Sequence, residues 1–191
     1  MNFIKIFMKA KDISSKSVGL ELNKTHRKNL NNANIQCVEQ LSELYDDKFD
    51  LIILNHVFEH LNDPINTLIE LQKYLKDNGV IVIEVPHARD LLLETFNLES
   101  FKNFTFWSEH LILHTRKSLS SFVKNSGLKV NRIDGHQRHP LSNHFGWLLN
   151  KRPSGQDTYK ELNNDIFSKQ YEYFLDIIDQ TDTLIGYFCL N

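Results

Sequence analysis

The chain has 191 residues, 41% hydrophobic, 24% charged and 11% aromatic, a balance that suits a globular protein with a real core, as one domain or one domain with an appendage. Lys and Arg number 22 against 24 Asp and Glu, and the net charge of -2 leaves a nucleic-acid role without electrostatic support. The apolar runs are too short to span a bilayer, Lys5, Lys9 and Lys11 break any signal-peptide pattern, and Cys37 and Cys189 make no disulfide framework, so the expected setting is the cytoplasm.

Phe3, Ile4, Phe7 and Met8 fall at helical spacing, which predicts a short amphipathic helix over residues 2–12. SVGLEL (17–22) reads as a strand, Asn23 to Asn32 can hold a short helix, and Ile35 to Val38 reads as another strand. FDLIILN (49–55) is almost continuously apolar, the pattern of a strand buried on both faces of a parallel sheet. Asp63-Pro64 sets a capping side chain before a proline at the first helical position, and the stripe Ile65, Leu68, Ile69, Leu71, Leu75 carries that helix to Asn78-Gly79. VIVIEVP (80–86) then reads as a second buried strand. Further on come a helical segment near Asp90 to Thr95, an aromatic stretch over 101–107, a helix from Arg116 to Asn125 stopped by Gly127, and a strand from Leu128 to Ile133. A linker-like KRPSGQ (151–156) precedes a long helix from Tyr159 to Ile178, and Thr183 to Leu190 can close the sheet as an end strand.

Residues 49–86 thus form a strand, helix, strand crossover, which requires parallel strands. The fold class is α/β, and residues 1–191 are expected to make one domain in which 151–191 supply the last helix and strand. In open parallel sheets ligands sit beyond the carboxyl ends of the strands. Glu21 ends the first strand, where a carboxylate can accept hydrogen bonds from two ribose hydroxyls or simply meet solvent. Asn55, His56 and the pair Glu59-His60 occupy the tip of the strand over 49–55.

VGLELN (18–23) and FDLIILNHVFEHLNDPINTLIELQKYLKDNGVIVIEVP (49–86) resemble the second, fourth and fifth strands of class I S-adenosylmethionine-dependent methyltransferases. FWSEHLILHTRKSLSSFVKNSGLKV (106–130) and QRHPLSNHFGWL (137–148) resemble a subset acting on sugars or surface polysaccharides. The resemblance implies a Rossmann-like, mostly parallel sheet and S-adenosylmethionine as cofactor. It implies that Glu21 binds the ribose, that Val38 and Glu39 border the adenine, and that Asn55 and His56 lie beside the methionine moiety and the transferable methyl. Methyl transfer from a sulfonium is an in-line displacement, so the protein holds the nucleophile in line and, where needed, removes its proton. His56, His110, His139 and His144 are the candidate bases, with His56 and His110 foremost. A small molecule is the expected partner, nucleic acid and membrane are not, and homo-oligomer formation stays open.

The family's first motif, a strand and a Gly-rich turn, has no counterpart here: the seven glycines form no cluster. The expectation is a chain that begins inside the fold, without the strand that separates the second from the fourth. That gap must be closed by direct pairing, by a partner chain or by solvent exposure, and cofactor affinity should suffer. Two other readings stand beside methyl transfer. His56-Val57-Phe58-Glu59-His60 matches H-x-x-E-H, in which two histidines on adjacent turns of one helix hold zinc. A non-catalytic module could instead bind a partner through Phe101, Phe104, Phe106 and Trp107, although core packing is the simpler role for that stripe. No metal is expected, because the remaining histidine spacings fit no structural zinc module.

Overall fold

The computed structural model describes residues 16–45, 47–106 and 110–191, and the chain divides into two units, Met1–Asp47 and Lys48–Asn191. The helix expected over 2–12, and Trp107 of the aromatic stripe, lie outside the described residues.

In the N-terminal unit β1 (Val18–Leu20) pairs in parallel with β2 (Gln36–Val38), and α1 (Lys24–Asn32) makes the crossover. Asn23 starts that helix because its side chain accepts the Thr25 and His26 amides. The first strand is shorter than expected, yet Glu21 continues its ladder by donating its amide to the Val38 carbonyl at 3.0 Å. Among the described residues of this unit, Leu30, Ile35, Val38 and Leu44 are buried apolar side chains.

The C-terminal unit holds a separate four-stranded sheet in the order β3 (Phe49–Asn55), β4 (Leu75–Pro86), β6 (Thr183–Cys189), β5 (Lys129–His136). β3 is parallel to β4, and β6 is antiparallel to both β4 and β5. Three strands therefore share one direction, which is the expected mostly parallel, Rossmann-like α/β arrangement. The C-terminal tail is antiparallel, but it lies between β4 and β5 rather than at an end. Its composition explains this: Leu184 and Phe188 are fully buried, whereas KVNRIDGH of β5 is polar enough for an edge.

β3 corrects the expectation of a strand buried on both faces. Leu54 is 6% exposed, but Leu51 and Ile53, two residues apart and so on the opposite face, are 51% and 56% exposed. After β3, Asp63 caps α2 (Pro64–Gln72) by accepting the Asn66 amide. The helix ends six residues before Asn78. Leu75 belongs to β4, where it pairs with Phe49, and four residues of β4 bulge opposite the single Asp50 of β3 before Val80 pairs with Leu51. Gly79 sits in that bulge, and a Cβ there would lie 2.7 Å from the Leu75 side chain.

α3 (Leu91–Glu94), α4 (Glu99–Thr105) and α5 (Arg116–Asn125) follow, and Gly127 at φ 89 ends the last of them as expected. Leu68 and Leu71 of α2, and Leu119 and Val123 of α5, are buried, and Gln72 donates to the Ser126 carbonyl at 2.8 Å. In the aromatic stripe Phe101 and Phe104 pack on the Trp147 ring of α6 (Leu141–Asn150), yet Phe104 and Phe106 stay more than half exposed, so the stripe is only partly core. KRPSGQ is no free linker. Its glycine starts α7 (Gly155–Thr158) and is buried where a Cβ would lie 2.7 Å from the Gly146 amide nitrogen. The long helix is shorter than expected, α8 (Asp165–Ile177), because the Asn164 side chain caps it five residues late.

Candidate active site

At the carboxyl ends of β3 and β4 the C-terminal unit gathers an unusual set of charged side chains. His56 follows β3 with φ 50, a conformation uncommon outside glycine. Its amide donates to the Glu84 carbonyl at 2.9 Å. Its ring is held on both sides, with Nδ1 3.2 Å from Glu59 Oε1 and Nε2 3.2 Å from Glu84 Oε1. The Arg138 guanidinium also meets His56 Nε2, and its Nε lies 3.9 Å from Glu84. Asn55 donates from Nδ2 to Glu84 Oε2 at 3.3 Å, while its Oδ1 is buried without a hydrogen-bond partner among the described residues.

Burial opposes a charge on His56, but hydrogen bonds to Glu59 and then Glu84 outweigh it and raise the imidazole above its ordinary pKa. The hydrogen bond from His56 in turn lowers Glu84. Both His56 ring nitrogens thus face carboxylates, which favours the protonated ring, while the Arg138 charge beside Nε2 opposes it.

A second layer comes from the loop after β5. Asp182, just before β6, accepts the Arg138 amide at 3.0 Å, the His139 amide at 2.9 Å and Gln137 Nε2 at 3.0 Å. That one carboxylate shapes the loop that presents Arg138. Gln137 Nε2 also lies 3.3 Å from His144 Nε2, and His144 Nδ1 meets the Tyr171 hydroxyl at 2.6 Å. Burial pushes His144 down to about 4, so it is neutral, and both its nitrogens are engaged. Nearby, burial pushes Asp90 up to about 7, partly offset by the Leu92 amide it accepts. His110 differs from these histidines: Nδ1 donates to the Thr105 carbonyl at 3.0 Å, so in the neutral ring Nε2 is the accepting nitrogen.

In the N-terminal unit Glu21 follows β1 with its carboxylate about one-third exposed, accepting the Asn23 amide at 2.7 Å. Arg27 donates to the Glu21 and Leu22 carbonyls, both at 2.7 Å, and to Glu39 Oε2 at 2.5 Å. Glu39 is half exposed, whereas the Val38 side chain is buried in the unit's core, leaving its backbone as the only part near the strand tip.

The structure therefore brings Asn55 and His56 into one cluster and links His56 to the His110 neighbourhood through Glu59, which lies 3.8 Å from His60. Glu21, Val38 and Glu39 gather at the tips of β1 and β2. His56 and His60 do not share a helix: His56 is outside the single 3-10 turn Phe58–His60, so the geometry of a helical H-x-x-E-H zinc motif is not formed. Sequence reasoning missed Glu84, Arg138, Asp182 and Arg27. Glu84 had a signal, being the lone charge in VIVIEVP.

The sheet order, the crossovers and this polar tip define the α/β fold of S-adenosylmethionine-dependent methyltransferases, and solved structures of that class match it. A methyltransferase from Archaeoglobus fulgidus matches with a TM-score of 0.61 at 18% identity, covering 97% of this chain and 81% of its own. The protein bound to the Haloferax volcanii Trm112 methyltransferase activator matches with 0.61 at 15%, covering 97% and 78%. Mycolic acid cyclopropane synthase CmaA1, complexed with S-adenosylhomocysteine, matches with 0.53 at 17%, covering 95% and 72%. No curated protein matches significantly. A family model described as "Methyltransferase domain" matches residues 4–133, and the chain belongs to that methyltransferase family.

Proposed function

We propose that this chain transfers a methyl group from S-adenosylmethionine to a small acceptor, with a sugar or sugar nucleotide as the acceptor class. One observation carries the reading: a strand tip presents an acceptor group suited to a ligand rich in donors. Asn55 Oδ1, at the tip of β3, is buried without a partner among the described residues. Ribose hydroxyls and an ammonium group, both carried by S-adenosylmethionine, are donors of the required kind.

When bound, the cofactor supplies an electrophilic methyl on a sulfonium, and the acceptor atom bonds to that carbon as the carbon–sulfur bond breaks. The chain's own part is positional and electrostatic. In the C-terminal unit Asn55 fixes the methionine end; for the N-terminal unit, taken by itself, the family resemblance supports Glu21 at the ribose with the Val38 backbone and Glu39 at the adenine. His56, braced by Glu59 and Glu84, orients Asn55 through Glu84. His110, with an available lone pair, takes the acceptor's proton. The hydrogen-bonding rim of Gln137, Arg138 and His139 suits a hydroxyl-bearing acceptor.

Calorimetry with S-adenosylhomocysteine tests this. The wild-type chain should bind, and Glu21→Ala should weaken binding at least about tenfold, equal to about 1.4 kcal/mol. No heat of binding at millimolar ligand, or unchanged affinity in Glu21→Ala, overturns the reading.

A further inference from the structure

Glu59 is 1% exposed, and although its Oε1 meets His56, its Oε2 has no hydrogen-bond partner among the described residues. A buried carboxylate oxygen without a donor is costly, and in native proteins it calls for an explanation such as an ion. Two imidazoles stand beside it. His60 Nε2 lies 3.8 Å from the other carboxylate oxygen, Oε1, the His60 and His110 rings are 5.0 Å apart, and one ligand atom from each of Glu59, His60 and His110 falls within 4.8 Å of the others.

The arrangement is built rather than accidental. The Leu111 amide donates to the Glu59 carbonyl at 2.9 Å and the Ile112 amide to the same oxygen at 3.3 Å. The segment after His110 is thereby pinned to the turn that carries Glu59 and His60. His110 donates Nδ1–H to the Thr105 carbonyl. That outer contact is the one metal-bound imidazoles usually make, and it points the lone pair of Nε2 away from the carbonyl. Glu59 is oriented in the same manner by His56.

We propose that Glu59, His60 and His110 form a binding site for a divalent transition-metal ion, with zinc as the best-suited occupant. Two imidazoles and one carboxylate are the donor set zinc takes at about 2.0–2.2 Å, and three protein ligands leave a position for water or an acceptor oxygen; an ion there would occupy the His110 nitrogen and would acidify that oxygen in place of proton removal by the ring. Ligand atoms around one such ion lie roughly 3–4 Å apart, so small side-chain rotations close the site. This assignment goes beyond the sequence expectation of no metal, and it uses a different set from the H-x-x-E-H pair, because His56 is an outer support and His110 takes its place.

Cobalt titration of the tag-free, chelator-treated chain, without any S-adenosyl ligand, tests the site independently of methyl transfer. One equivalent of Co2+ should produce visible d–d bands that zinc abolishes. His110→Ala should weaken cobalt binding by at least about 100-fold, more than loss of an outer partner usually costs. In the wild-type chain, which avoids any folding defect of a variant, paramagnetic broadening should centre on the His60 and His110 ring protons. A featureless spectrum at millimolar cobalt, unchanged affinity in a folded His110→Ala, or broadening centred on His136 and His139 overturns the proposal.

Discussion

In the N-terminal unit the charged residues at the strand tips face solvent: Glu39 is 52% exposed and Glu21 31%, and Arg27 joins them through backbone carbonyls and one ion pair. In the C-terminal unit the corresponding titratable groups sit inside: Glu59 is 1% exposed, Asp90 3% and His144 2%. Exposed ion pairs contribute little, because water already solvates both partners. Buried ones are expensive unless every lone pair and proton is matched. The N-terminal unit can therefore present carboxylates to a ligand at small cost. The C-terminal unit must hold its charges in a fixed network, which is what alignment of a reacting atom requires.

The largest test of that contrast is Asp90. Its folded pKa of about 7 stands above the unfolded value of about 3.9. Below pH 4 the residue is protonated in both states and costs nothing. Between pH 4 and 7 the unfolded chain ionises while the folded residue stays protonated, and folding loses up to about 4 kcal/mol. Asp90→Asn keeps an oxygen for the Leu92 amide and removes the charge. Denaturation followed by Trp147 fluorescence should show the variant more stable by up to about 4 kcal/mol at pH 8 and nearly equal to wild type at pH 4. Equal stability at both would show that Asp90 is not held out of water.

Next comes Gly155→Ala. A linker residue would accept the methyl, but here the new Cβ would meet the Gly146 amide nitrogen at 2.7 Å. Overpacking of this kind should cost about 3 kcal/mol, read in the same denaturation experiment; a loss below 0.5 kcal/mol, the usual range for a surface change, would return this segment to a linker. The smallest effect belongs to the N-terminal unit. Glu39→Gln removes an ion pair whose carboxylate is half exposed, and thermal melting followed by far-UV dichroism should register less than about 1 kcal/mol. A larger loss would mean that the two units handle charge alike.

Much of the fold was legible from residues that act locally. Asp63-Pro64 set the start of α2, Gly127 set the end of α5, and the runs FDLIILN and VIVIEVP located β3 and β4. Where long-range pairing decides, local signals failed. Leu75 keeps helical spacing, yet pairing with Phe49 takes it into β4. The C-terminal tail was recognisable as a strand, but only the pairing partners on both sides place it inside the sheet. The site divides in the same way. Asn55 and His56 follow from the rule that ligands gather at strand ends, and no metal ion was expected of Glu59, His60 and His110. Arg138 is 82 residues from His56 and reaches it because Asp182 folds the intervening loop, a relation without any local signature.

The most direct test of the central claim, that the charged tip of β3 and β4 receives the cofactor, is hydrogen exchange with and without S-adenosylhomocysteine. Amides of residues 54–60 and 84–88 should gain protection on ligand addition, with the C-terminal unit otherwise little changed. Binding that leaves those amides unprotected would contradict the account.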